Sequence, residues 1–89
     1  MRQIARTAKF KSDFKRLARS GRHDLDEFMQ ILDMLANDRP LAPNNHDHDL
    51  SGNWKHHREC HIKPDWLLIY KLVPGRLILV RTGSHSDLF

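Results

Sequence analysis

The stretch that decides the fold closes the chain: HIKPDWLLIYKLVPGRLILVRTGSHSDLF, residues 61–89. Residues 66–72 are apolar on both faces, the pattern of a strand in the middle of a sheet. Pro74 and Gly75 supply the fixed φ and the positive φ of a type II turn, and residues 76–82 then return antiparallel. Before Lys63-Pro64, residues 54–62 alternate as a strand would, but many are polar or titratable, so one face is open to solvent or to a ligand. A three-stranded meander is predicted, with titratable groups, His61 and His85, at its ends.

Upstream of the meander the periodicity changes from 2 to 3.6. After a short strand at residues 3–8, Phe10, Phe14, Leu17 and Ala18 recur at helical spacing, with Lys11, Lys15, Arg16 and Arg19 on the other face. Gly21 ends this basic helix, and Asp24 with Glu27 three residues on resembles a capping box opening a second helix. Leu25, Phe28, Met29, Leu32 and Leu35 form its stripe, widened by Ile31 and Met34, and Asn37 stops it. Residues 38–53, with Pro40, Pro43, paired Asn and alternating His and Asp, read as a loop, and a loop that long in so small a domain is often functional. Two helices followed by a meander, with an early strand able to join the sheet edge, give an α+β domain with the helices on one face.

The chain has 89 residues and reads as one domain, residues 1–89. No apolar run approaches the ~20 residues of a membrane span, and the N-terminus lacks the apolar core of a signal peptide, so a cytoplasmic protein is expected. The single cysteine, Cys60, cannot form an intramolecular disulfide. Net charge is +4, unevenly placed: residues 1–22 carry eight Lys/Arg against Asp13, whereas residues 23–50 carry Arg39 against seven acids. A basic end suits an anionic partner such as a phosphate backbone, bound without reading sequence.

Six of the seven histidines lie outside the helices and near the strand ends: His46, His48, His56, His57, His61 and His85. Imidazole, with an unperturbed pKa of ~6.5, gives and takes protons near neutrality. Their spacing matches none of the patterns that fix a tetrahedral metal site, and Cys60 has no CxxC partner. The bland reading of any single member is a solvated surface group; together, in a basic protein, they suggest acid–base chemistry on a phosphate ester. RNA carries its own nucleophile, the 2′-hydroxyl, so two proton carriers and a cation suffice to cleave it. Lys63-Pro64 lets His61 and Asp65 approach one another, Trp66 is a candidate for stacking on a base, and Arg81 for contacting phosphate. The alternative is a non-catalytic basic nucleic-acid-binding domain, which uses the basic helix and leaves the histidines without a task.

The ordered set His48-Asp49-Leu50-Ser51-Gly52-Asn53-Trp54-Lys55, Arg58, residues 61–71 and Arg81-Thr82-Gly83-Ser84-His85-Ser86-Asp87-Leu88-Phe89 closely resembles YafQ toxins of the RelE superfamily. The resemblance implies a microbial-ribonuclease-like fold: a twisted antiparallel sheet with two N-terminal helices on one face and a cleft on the other. It implies a ribosome-dependent mRNA interferase, working without metal or cofactor, silenced by a DinJ-like ribbon-helix-helix antitoxin and reaching operator DNA only within that complex. The 70S ribosome and mRNA are its other implied partners, with no membrane. Matching residue by residue, it implies site positions at His48, His61, Asp65, Trp66, His85 and Phe89. His85 would be the general acid, Asp65 or His48 the base, and His61, with Arg81, would stabilise the phosphate. Trp66 and Phe89 would hold bases or shape the cleft. No role passes to His46, His56 or His57.

Overall fold

A computed structural model describes residues 1–21 and 23–89. Strand β1 (Gln3–Arg6) leads into helix α1 (Ala8–Ser20) and helix α2 (Leu25–Ala36). A 3-10 turn (Pro43–Asn45), the two-residue strand β2 (His48–Asp49) and a second 3-10 turn (Gly52–Trp54) follow. Strands β3 (Arg58–Lys63), β4 (Trp66–Val73) and β5 (Arg76–Gly83) form the meander, and one helical turn, α3 (His85–Leu88), closes the chain.

The five strands form one sheet in the order β1-β5-β4-β3-β2. The meander pairs antiparallel as expected, whereas β1 lies parallel to β5, so the sheet is mixed at that edge. β1 stops opposite Leu79, and helix α1 supplies what a longer strand would have given to the exposed edge of β5. Thr7 N donates to Leu79 O (3.1 Å), Thr7 Oγ1 to Val80 O (2.8 Å), and Thr82 N donates to the Asp13 carboxylate (3.3 Å).

The helix signals act largely as the sequence suggests. Thr7 caps α1, its hydroxyl accepting from Phe10 N, and Gly21, at φ 68°, ends it in the left-handed conformation that costs a residue with a Cβ. Asp24 caps α2 by accepting from Asp26 N and Glu27 N. The expected capping box is only half formed, because Glu27 pairs with Lys63 Nζ at 2.7 Å instead of reaching back to the cap. Gly75 has the predicted positive φ, 75°.

Alternation along the meander divides the core in two. Cys60, Ile62, Trp66, Leu68, Tyr70, Leu77 and Leu79 pack against Phe10, Leu17, Phe28, Ile31, Leu32 and Leu35 of the two helices. Leu67 and Ile69, from the opposite face, pack with Leu88 of α3 and with Leu50, Trp54 and Val80. The helices thus occupy one face and the returning C-terminal turn the other. Trp54 belongs to a turn rather than to β3, which begins at Arg58; His56, at φ 73°, and His57 fall in that bend rather than on the expected strand.

Candidate active site

At the end of the sheet where β3 runs into β4 and β5 runs out, three elements bring titratable groups together. His61 is on β3, Asp65 in the β3–β4 turn, and His85 opens α3. Asp65 Oδ1 accepts from the His85 main-chain N–H at 2.9 Å and meets its ring Nδ1 at 2.7 Å. Those two bonds, the main-chain one foremost, hold the Asp65 carboxyl below the usual carboxylate range. A carboxylate can only accept, so His85 Nδ1 carries the hydrogen and Nε2 faces outward. The His85 ring stands edge-on to His61, centroids 5.4 Å apart.

Residues 61 and 59 share a face of β3, two positions apart. Glu59, 5% exposed, lies there with one oxygen 3.3 Å from His61 Nε2 and 3.7 Å from His48 Nε2. Glu59 therefore gathers both imidazoles, and sequence reasoning missed it. Its signal was an acid alternating with His61 on a strand whose Cys60 and Ile62 face the core.

His48 is fixed by its neighbours. Arg58 bonds Asp49 (2.6 Å) and Asp47 (3.2 Å) on either side of it, and Tyr70 OH donates to Asp47 from the helix-side core. The Tyr70 hydroxyl is pushed up in pKa, chiefly by burial, so it stays a proton donor. His48 Nδ1 lies on His46 O; a carbonyl only accepts, so the ring donates from Nδ1 and presents Nε2 towards Glu59. Thus the structure brings His48, His61, Asp65 and His85 into one cluster.

The remaining candidates separate. Trp66 is 2% exposed: its ring stacks on Phe28 (5.6 Å) and Nε1 donates to Thr82 Oγ1 (3.0 Å), which donates to Leu67 O. It is a core residue, and stacking on a base is corrected, because its face is already covered. An apolar residue on the central strand, alternating with Leu67, points to the helices. Arg81 Nε and Nη2 are engaged by the buried Asp13 carboxylate at 2.7 and 3.2 Å, which raises the pKa of the guanidinium. Arg16 links Asp13 (3.7 Å) to Asp87 (3.8 Å), and Asp87 closes the capping box with Ser84 at the start of α3. Glycine suits position 83 beside it, since a Cβ there would approach the Asp87 side chain to 3.0 Å. Phe89 is 61% exposed and stands edge-on to Trp54 (6.5 Å), making an aromatic pair beside the cluster. Among the described residues no group of three or more His, Cys, Asp or Glu side chains is arranged to hold a metal ion, and no helix is long and apolar enough to cross a membrane.

A small α+β domain with a histidine–carboxylate cluster at one end of its sheet is the frame of a toxin family. Residues 2–89 match the family described as bacterial toxin of type II toxin–antitoxin system, YafQ, and the chain belongs to that family. It is 38% identical over 89 residues to the mRNA interferase toxin YafQ of Escherichia coli K12, covering 99% of this chain and 96% of that one. The crystal structure of a metal-bound toxin from Helicobacter pylori superposes with a TM-score of 0.93 at 45% identity, covering all of both chains. The E. coli DinJ–YafQ complex gives 0.87 at 38% identity, covering 100% of this chain and 99% of that one.

Proposed function

We propose that this YafQ-family toxin is an mRNA interferase that cleaves by transesterification. The observation that carries the mechanism is the convergence of three imidazoles, each with its Nε2 uncommitted to backbone, on two carboxylates at one end of the sheet. A base removes the proton of the 2′-hydroxyl; the 2′-oxygen bonds to phosphorus; the bond to the 5′-oxygen breaks, and an acid protonates that oxygen. The products are a 2′,3′-cyclic phosphate and a free 5′-hydroxyl. Side chains supply every proton carrier, and the cycle needs no metal.

His85 serves as the acid, its Nδ1 held by Asp65 and its Nε2 aimed outward. His48 serves as the base: its Nδ1–H donates to His46 O, and Nε2, 3.7 Å from Glu59 and so too far to hydrogen-bond that carboxylate, keeps its lone pair. Asp65 fits the base role less well, because its carboxyl is held low and is far from the operating pH that favours proton abstraction. Its task is to orient His85. His61 lies between acid and base and faces the developing charge on the phosphate; Arg81, whose charge is neutralised by Asp13, does not share that task. Phe89 with Trp54 offers a surface on which an unstacked base packs.

The partner is a DinJ-like ribbon-helix-helix antitoxin, supported by the full-length likeness to the YafQ of the DinJ–YafQ complex. The working substrate is mRNA in the ribosome, in the cytoplasm, and operator DNA is reached only through the antitoxin. Inducing the chain with and without antitoxin and mapping 5′ ends of cellular mRNA tests the function. In-frame cuts that disappear in His85→Ala, with antitoxin binding retained, are expected; full cleavage by His85→Ala overturns the acid assignment. Cleavage in vitro should survive EDTA.

A further inference from the structure

A cleft of about 750 Å³ opens beside the cluster, between α2 and the Pro43–Asn45 turn. Its floor is apolar, Ile31 and Met34; its rim carries two exposed side-chain amides, Gln30 and Asn44; and one wall is His46 and His61. His61 therefore has a place both in the cleft and in the catalytic cluster.

The wall is built rather than incidental. Asn45 Nδ2 donates to His61 O at 2.7 Å, tying the turn to β3. His46 then sits at φ 46°, a left-handed conformation uncommon for a residue with a Cβ, held by its N–H to Pro43 O (3.2 Å). That bend stands the His46 ring edge-on to His61, centroids 5.2 Å apart, while its carbonyl receives His48. The opposite side is closed by Glu27 and Lys63, paired at 2.7 Å.

The chemistry of this lining selects an occupant. The cationic group of the lining, Lys63, is neutralised by Glu27, so the cleft is a poor phosphate site. An apolar floor, a heteroaromatic wall and amides presenting a donor beside an acceptor suit a flat, neutral ring with hydrogen-bonding edges. We propose that the cleft is a nucleobase subsite, taking the base of a nucleotide that flanks the scissile phosphate on the His61 side. Gln30 and Asn44 read its edge, and His46 packs against its face. This inference rests on the ribonuclease mechanism above and adds to it a source of sequence preference. Amide pairs of this kind discriminate between bases.

The test pairs changes in the protein with changes in the RNA. Ribosomes carrying mRNAs that differ in the bases on either side of the cut are treated with the native toxin, with Asn44→Ala and with Gln30→Ala. An abasic nucleotide is also placed at each flanking position in turn. At one flanking position the native toxin should lose about ten-fold or more in cleavage on base removal. At that same position the two variants should lose base preference and show little further effect of the abasic nucleotide, with kcat/KM reduced about ten-fold for the preferred base only. Effects that are uniform across sequences, or multiplicative with the abasic substitution, overturn the subsite. So does a result in which the variants lose antitoxin affinity but keep base preference, which would assign the cleft to the antitoxin. No cleavage by the native toxin would instead sink the ribonuclease mechanism. In that event titration with a 2′-O-methyl RNA decides the cleft separately: shifts at the Asn44 and Gln30 side-chain amides support it, and their absence at saturation overturns it.

Discussion

Asp65 holds His85 twice with a single oxygen: Oδ1 accepts from the main-chain N–H at 2.9 Å and from ring Nδ1 at 2.7 Å. One atom thus fixes both the start of α3 and the tautomer of the imidazole that α3 carries. Since the Asp65 side chain is 70% exposed, its removal should leave the core intact. Asp65→Ala is expected to lower the cleavage rate about 100-fold, the scale of a lost acid–base arrangement, with a smaller change in KM. Single-turnover rates with antitoxin affinity as a folding control check this. An unchanged rate would remove Asp65 from the mechanism.

The carboxyls of Asp65 and Asp87 are both depressed, the first mainly by the His85 N–H and the second by the Ser84 N–H. A depressed folded-state value means that the contribution is present above the unfolded value, about 3.9, and is lost only as pH falls through the lower folded value. The α3 turn should therefore remain docked as pH falls to about 4 and loosen below it. Carboxyl and amide chemical shifts of residues 84–89 across an acid titration report this directly. An acid limb of activity between pH 5 and 7 should survive Asp65→Asn, because Asp65 is already ionised there.

Asp13 is 3% exposed and receives Arg81 and Thr82 N, so deleting the carboxylate strands a guanidinium and a strand-edge N–H. Asp13→Ala should destabilise the domain by about 3 kcal/mol. The double variant Asp13→Leu with Arg81→Leu should regain part of that loss, since no charge is then left unpaired. Urea unfolding of the native protein, Asp13→Leu, Arg81→Leu and the double variant measures the coupling, and strict additivity would refute the pair.

Arg58 is the anchor of the loop that presents His48, through Asp47 and Asp49. Arg58→Ala should cut cleavage about ten-fold by letting His48 leave its place, whereas unfolding free energy should fall by only about 1 kcal/mol. Equal losses in a His48→Ala background would show that Arg58 acts elsewhere.

Trp66, as a core residue, should behave as one. Trp66→Ala is expected to cost about 3–5 kcal/mol and to impair antitoxin binding and cleavage together. Trp66→Phe, which keeps the stack on Phe28 but loses the bond to Thr82, should remain folded and active. Loss of RNA affinity in a fully stable Trp66→Phe protein would return the indole to the cleft.

The sequence by itself determined the opening strand, the two long helices, the meander and their order, but not β2, the two 3-10 turns or α3. Periodicity placed α1 and α2, the apolar run placed β4, and Pro74-Gly75 placed the turn, because these depend on residues close along the chain. Motif identity also located His48, His61, Asp65 and His85. The tertiary structure decided what spacing cannot encode. β1 joins β5 in parallel, a pairing between the first and last strands that no local pattern encodes. The face on which Trp66 falls follows from the sheet's packing against Phe28. Glu59 became part of the site only when β2, 11 residues before it, folded against β3 and set His48 opposite Glu59. His46 came to stand against His61 only when Asn45 tied its turn to β3. Each of these depends on contacts between distant segments, whose energies are shared across strands and helices rather than written at any one position.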